Sequence, residues 1–279
     1  MISPLRRIRI ELAYDGTGFH GWQVQSGLAT IQQALETILA DMEGGPVPVA
    51  ASGRTDAGVH ALAQVAAFSL RNPIPVLNLR KALNRLLPPG IRINQVEEVD
   101  LHFHPRFDAT AKTYEYRIFR GEIVSPFDQR YVYHYPYPLD VNRMIELAPI
   151  LEGEHDFAAF AAADSKEAKR AQSKVRSVYS SRATLEGDYL RYRVRGSGFL
   201  KHMVRNIVGV LLEVGKGNFC DTDIRARLVP GCGIRPGPSA PACGLFLIHV
   251  EYDVEYGVEY NVEYDESRTI GANEDNHPD

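Results

Sequence analysis

The densest run of side chains able to do chemistry is Ser52-Gly53-Arg54-Thr55-Asp56-Ala57-Gly58-Val59-His60. Asp56 can act as a nucleophile or as a base. Arg54, two residues earlier, can hold its carboxylate ionised, because a neighbouring cation favours the charged form. Gly53 and Gly58 permit backbone shapes or close approaches that a side chain would obstruct. The run lies between two stretches that read as strands, where a rigid scaffold can hold a functional loop. The same spacing suits an Asx turn with a surface ion pair, so spacing alone leaves both readings open.

Other chemistry is harder to place. The chain has no Walker A loop, no G-x-G-x-x-G and no paired Cys/His ligands. Cys220, Cys232 and Cys243 form no C-x-x-C and read as ordinary thiols. Three cysteines exclude a disulfide scaffold and suit a reducing cytoplasm. Asp221-Thr222-Asp223 raises the thought of an aspartyl hydrolase. Those acids lack a metal or phosphate-loop pattern and read as a cap for a helix at Ile224.

The elements that must position these residues alternate between strand and helix. Ile8, Ile10, Leu12 and Tyr14 have the period of a half-buried strand. Thr30 and Gln33 form a capping-box pattern, and Ile31, Leu35, Ile38, Leu39 and Met42 then share a helical face, stopped at Gly44-Gly45-Pro46. Val47–Ala50 and Gln64–Leu70 read as strands flanking the polar run. Leu79, Leu83, Leu86 and Leu87 mark a second helix, and Ile91–Val99 a strand. A second unit begins near Pro105, with a strand over Thr113–Phe119 and a helix over Leu139–Leu151. A hairpin follows, Ser173–Leu185 and Tyr189–Val194, then a helix over Phe199–Val214 and an apolar strand over Leu245–Val250. The expected organisation is an α+β unit over 1–104, a second over 105–250, and an acidic repeat with a disordered tail over 251–279. The repeat, EYDV, EYGV, EYNV, EYDE, has strand periodicity, and its first copy is placed to extend the last core strand.

Composition sets limits. The 279 residues carry ordinary globular proportions of apolar and charged side chains. No run approaches the ~20 apolar residues of a membrane-spanning helix, and the first residues lack the apolar region of a signal peptide. The net charge of −4 argues at first sight against a nucleic-acid partner. It is unevenly spread, however: residues 1–250 carry +5 and the rest −9. Arg outnumbers Lys 24 to 7, which favours contact with phosphate and planar bases. Arg191, Arg193 and Arg195, alternating on one strand face, form with Lys166, Lys169, Arg170, Lys174 and Arg176 a candidate phosphate-contact region that equally suits a solvated surface.

The order of residues is more specific than their spacing. Gly53-Arg54-Thr55-Asp56-Ala57-Gly58-Val59-His60-Ala61 resembles the catalytic signature of the tRNA pseudouridine synthase A family. Tyr14-Asp15-Gly16 and Gly21-Trp22-Gln23 resemble its first strand and following loop. Phe103-His104-Pro105-Arg106-Phe107 and Ala111-Lys112-Thr113-Tyr114-Glu115-Tyr116 resemble its next segments. Gly153 through Phe157, Phe199 through Gly209 and Gly244-Leu245-Phe246-Leu247 follow in family order.

The resemblance implies a pseudouridine synthase fold: α+β, two similar units around a mainly antiparallel sheet, with a cleft between them. It implies isomerisation of uridine to pseudouridine at tRNA positions 38, 39 and 40, in the anticodon stem-loop, by a cytoplasmic homodimer with no cofactor or metal. By position, Asp56 resembles the catalytic aspartate. Its attack at ribose C1′, at the pyrimidine ring, or on the C2′ proton remains open. Arg54 resembles the motif arginine that contacts RNA or holds the extruded nucleotide. Tyr114 resembles the tyrosine that stacks on the target base, although its strand position equally suits a core tyrosine. Arg205 resembles the arginine paired with the aspartate. A non-catalytic tRNA-binding relative is the main rival, and the presence of Asp56 speaks against it.

Overall fold

The computed structural model describes residues 3–162 and 173–253. In β1 (Arg6–Tyr14), Ile8, Ile10 and Leu12 are fully buried, as their period predicts. Arg9, on the other face, is buried too: it pairs with Glu97 at 2.7 Å and lies under the Tyr252 ring. Thr30 Oγ1 accepts the Gln33 N–H at the start of α1 (Ile31–Glu43), and Gly44 ends that helix in the left-handed region. The strand expected over Val47–Ala50 shrinks to β2 (Ala50–Ala51). Pro46 and Pro48 have no N–H to give a ladder, so pairing starts only beyond them. Next come β3 (His60–Leu70), α2 (Val76–Leu86) and β4 (Ile91–Val99).

The second half contributes β5 (Ala109–Phe119), β6 (Tyr133–His134), α3 (Val141–Leu147), β7 (Gly153–Asp156), β8 (Val175–Glu186) and β9 (Tyr189–Gly196). These are followed by α4 (Met203–Gly215), α5 (Asp221–Leu228) and β10 (Leu245–Tyr252). Two expected helices are shorter than their apolar periods. Pro149 cannot donate to a helical ladder, so the stretch after α3 tightens into a 3-10 turn over Ala148–Leu151. The helix expected from Phe199 starts at Met203, because His202 has φ 61 and breaks the helical path. Asp221 and Asp223 lie in the first turn of α5, where the Asp223 carboxylate accepts the Cys220 N–H.

All ten strands form one sheet, in the order β4-β1-β3-β10-β5-β9-β8-β7, with β2 on β3 and β6 on β5. It is mainly antiparallel. The halves join at the short parallel pairing of β3 with β10, His60 against Phe246 and Ala61 against Leu247. Tyr14, Ala61, Leu247, Tyr114 and Val194 are successive cross-strand partners, so they form one row across the join. Buried side chains from both halves, Ile8, Leu35 and Leu79 with Ile118, Ile207 and Leu247, belong to one continuous core. The acidic repeat begins inside the sheet: Glu251 pairs with Arg195, and the Tyr252 hydroxyl donates to the Pro105 carbonyl. Its later copies and the tail lie outside the described residues. Among the described residues no helix is long and apolar enough to cross a membrane.

Candidate active site

The Asp56 loop leads into β3 and is tied down from several sides. Trp22 N–H donates to the Thr55 carbonyl at 3.0 Å, and the Thr55 hydroxyl is 2.8 Å from that of Tyr14. Gln64 donates to the Gly53 carbonyl and accepts from Ser52 Oγ. Gly21 makes the close approach possible. It sits at φ +85, and a Cβ there would lie 2.6 Å from the Thr55 carbonyl oxygen.

Asp56 is part-exposed, and its Oδ2 faces the start of α4. Arg205 Nη1 donates to that oxygen at 3.5 Å, and His202 Nε2 lies 3.4 Å from it. The guanidinium beside Asp56 is therefore that of Arg205, whereas Arg54 is exposed to solvent. Arg205 is itself anchored: its Nε donates to the Ala240 carbonyl at 2.7 Å, while the Ala240 N–H returns to the Arg205 carbonyl. Tyr116 donates to the Pro241 carbonyl. The Gly- and Pro-rich stretch before β10 thus borders the site and holds its arginine.

Tyr114 is buried, with its ring edge-on to Phe199 at 5.1 Å. Burial drives its phenol well above the ordinary range, and the Tyr14 and Asp56 charges push the same way. It is a neutral hydroxyl at physiological pH. Tyr14 is similarly raised to about 12 by burial.

Lys112 is a member of the site that sequence reasoning passed over, although it stands two residues before Tyr114. It is 9% exposed and donates to the Ser52 carbonyl at 2.5 Å, securing the base of the loop. Burial, helped by Arg106, lowers its ammonium to about 8. Between pH 8 and 10.5 the unfolded chain keeps the Lys112 proton while the folded chain has lost it, so stability rises with pH across that window. Relative to Lys112→Met, the wild-type unfolding free energy climbs by up to about 1.4 kcal/mol per pH unit there. Urea denaturation at several pH values checks this, and a flat difference between the two proteins would refute it.

The basic residues expected on β9 alternate with buried Leu190, Tyr192 and Val194. They have carboxylate neighbours. Arg193 binds Glu115 at 2.6 Å, Arg191 lies between Glu115 and Glu186, and Arg195 binds Glu251. Glu115 is 2% exposed, and despite its burial Arg117 and Arg193 hold its carboxyl below the usual range. Lys174 is exposed; Lys169 and Arg170 lie outside the described residues. Among the described residues no group of His, Cys, Asp or Glu could hold a metal ion.

The family profile described as tRNA pseudouridine synthase matches residues 12–108 and 147–253. A tRNA pseudouridine synthase A of Solibacter usitatus is 64% identical over 248 residues, covering 89% of this chain and 100% of that protein. One of Bacillus pumilus is 43% identical over 249 residues, covering 88% and 99%. Among solved structures, a chain of a Cbf5-Nop10-Gar1 complex aligns with a TM-score of 0.32 and 16% identity, covering 74% of this chain and 45% of its own length. The profile takes in both sides of the β3–β10 join, including the Asp56 loop, Tyr114's neighbouring strands and Arg205, and the sequence relatives match nearly end to end: the chain belongs to the tRNA pseudouridine synthase family.

Proposed function

We propose that this chain isomerises uridine to pseudouridine at positions 38, 39 and 40 in the anticodon stem-loop of tRNA, with Asp56 as the nucleophile. The observation that carries the reading is the meeting of Asp56 with Arg205, 149 residues apart, beside the buried Tyr114. Asp56 attacks the nucleotide and the bond from uracil N1 to ribose C1′ breaks; the base turns to bond C1′ through C5, and the bond between Asp56 and the nucleotide then breaks to return the free carboxylate. The proton leaves C5 and N1 gains one, so substrate and product have the same atoms and the sum needs no oxidant or energy source. Arg205 offsets the carboxylate charge, and Tyr114 stacks on the base as a neutral ring. A uridine inside a stem must be extruded, at a cost of a few kcal/mol. Exposed Arg54 suits contact with the RNA backbone near the extruded nucleotide. Lys174, Arg191 and Arg193, with Lys169 and Arg170, extend the contact as phosphate partners, and the enzyme works as a cytoplasmic homodimer on one tRNA.

Carbodiimide mapping of tRNA from a strain lacking the gene tests this reading. Pseudouridine is expected to vanish at positions 38–40 and to return with the wild-type gene. Pseudouridine that persists at all three positions in the deletion strain would overturn it.

A further inference from the structure

His202 is the one residue other than glycine with a positive φ among the described residues (φ 61, ψ 0). A side chain in this region costs on the order of 1–2 kcal/mol, and such strain gathers where a site requires it. The position does not exploit the residues that would relieve it. Glycine and asparagine tolerate the left-handed region, and Ser, Thr, Asp or Asn before a helix would cap it. His202 precedes α4 and makes no side-chain cap. Its carbonyl accepts the Asn206 N–H, so the backbone is held in the first helical turn.

The twisted backbone delivers the ring to the active site. His202 Nε2 lies 3.4 Å from Asp56 Oδ2, the same oxygen that Arg205 Nη1 reaches at 3.5 Å. Two nitrogens from one turn of chain converge on one carboxylate oxygen. Among the described residues no donor reaches Oδ1.

We propose that His202 is a positioning residue: with Arg205 it pins Oδ2 of Asp56 and so presents Oδ1 to the nucleotide. The inference rests on the reading of Asp56 as the nucleophile. It assigns to the histidine a share in orienting the carboxylate, and no contact with the RNA.

His202→Gly removes the ring while keeping a backbone at ease with φ 61, so it separates strain from chemistry. Its kcat on tRNA is expected to fall about tenfold or more with KM unchanged, since a polar contact that orients the carboxylate is lost at the reacting centre. His202→Asn tolerates the same backbone and keeps an N–H donor, and should recover part of the lost rate. With His202 intact, its Nε2 resonance in a nitrogen-15 spectrum should move between the wild-type protein and Asp56→Asn. That measurement does not require any His202 variant to fold. Full kcat in His202→Gly, a change confined to KM, or an unmoved resonance would overturn the role of His202 while leaving an inactive Asp56→Ala enzyme to support the nucleophile. Turnover by Asp56→Ala would overturn both.

Discussion

Asp56→Asn is expected to release no measurable tritium from tRNA labelled at uridine C5, a loss of at least about 10⁴-fold in kcat. The label leaves only when C5 forms its new bond, so the assay reads the isomerisation itself. Asparagine keeps the size and shape of aspartate and removes the anionic lone pairs that attack. Folding should survive. The side chain is part-exposed, with partners in Arg205 and His202 at long distances of 3.5 and 3.4 Å, while the loop is held by backbone groups of Ser52, Gly53 and Thr55. The melting temperature should therefore fall by no more than a few degrees, since a part-exposed pair at such distances contributes about 1 kcal/mol or less. Turnover near the wild-type rate would remove Asp56 from the chemistry.

Gly209→Ala should have the largest effect on stability, and its sign is informative. Alanine in place of glycine inside a helix ordinarily stabilises by about 1 kcal/mol. Here an added Cβ would lie 1.6 Å from the Pro238 carbonyl oxygen and 2.8 Å from its carbonyl carbon. Backbone at that distance must move. Overpacking of this severity costs roughly 3 kcal/mol, which for a chain of this size lowers the melting temperature by about 6–12 °C. Activity should fall with it, because Pro238 lies two residues from Ala240, whose backbone anchors Arg205. Calorimetry and the tritium assay check the two arms. A higher melting temperature with unchanged kcat would show that α4 and the Pro238 segment do not pack as described.

Much of the scaffold was legible in the sequence because its signals are local. The period of Ile8, Ile10 and Leu12 and the Thr30 cap with its Ile31, Leu35, Leu39 face are set by neighbouring residues, and the structure agrees with them. Where local signals failed, backbone chemistry intervened. Pro46 and Pro48 shortened a strand, Pro149 tightened a helix, and His202 delayed one whose apolar pattern ran on unbroken. The site was less legible. Nothing in spacing joins Asp56 to Arg205, and only the resemblance brought them together. Arg191, Arg193 and Arg195 read equally as a phosphate-contact region or a solvated face, whereas strand register sets Glu115 and Glu251 among them. Lys112 carried no sign of its burial, since that depends on the Ser52 loop folding over it. His202 stood inside a recognised motif, but a left-handed histidine leaves no trace in sequence.

The most direct test of the proposed function uses purified full-length protein and one unmodified tRNA transcript with uridines at positions 38, 39 and 40. Pseudouridine is mapped along the whole molecule by carbodiimide and primer extension. New stops are expected at those positions with wild-type protein and none with Asp56→Asn. Stops elsewhere in the tRNA, or no stops from an active, folded preparation, would contradict it.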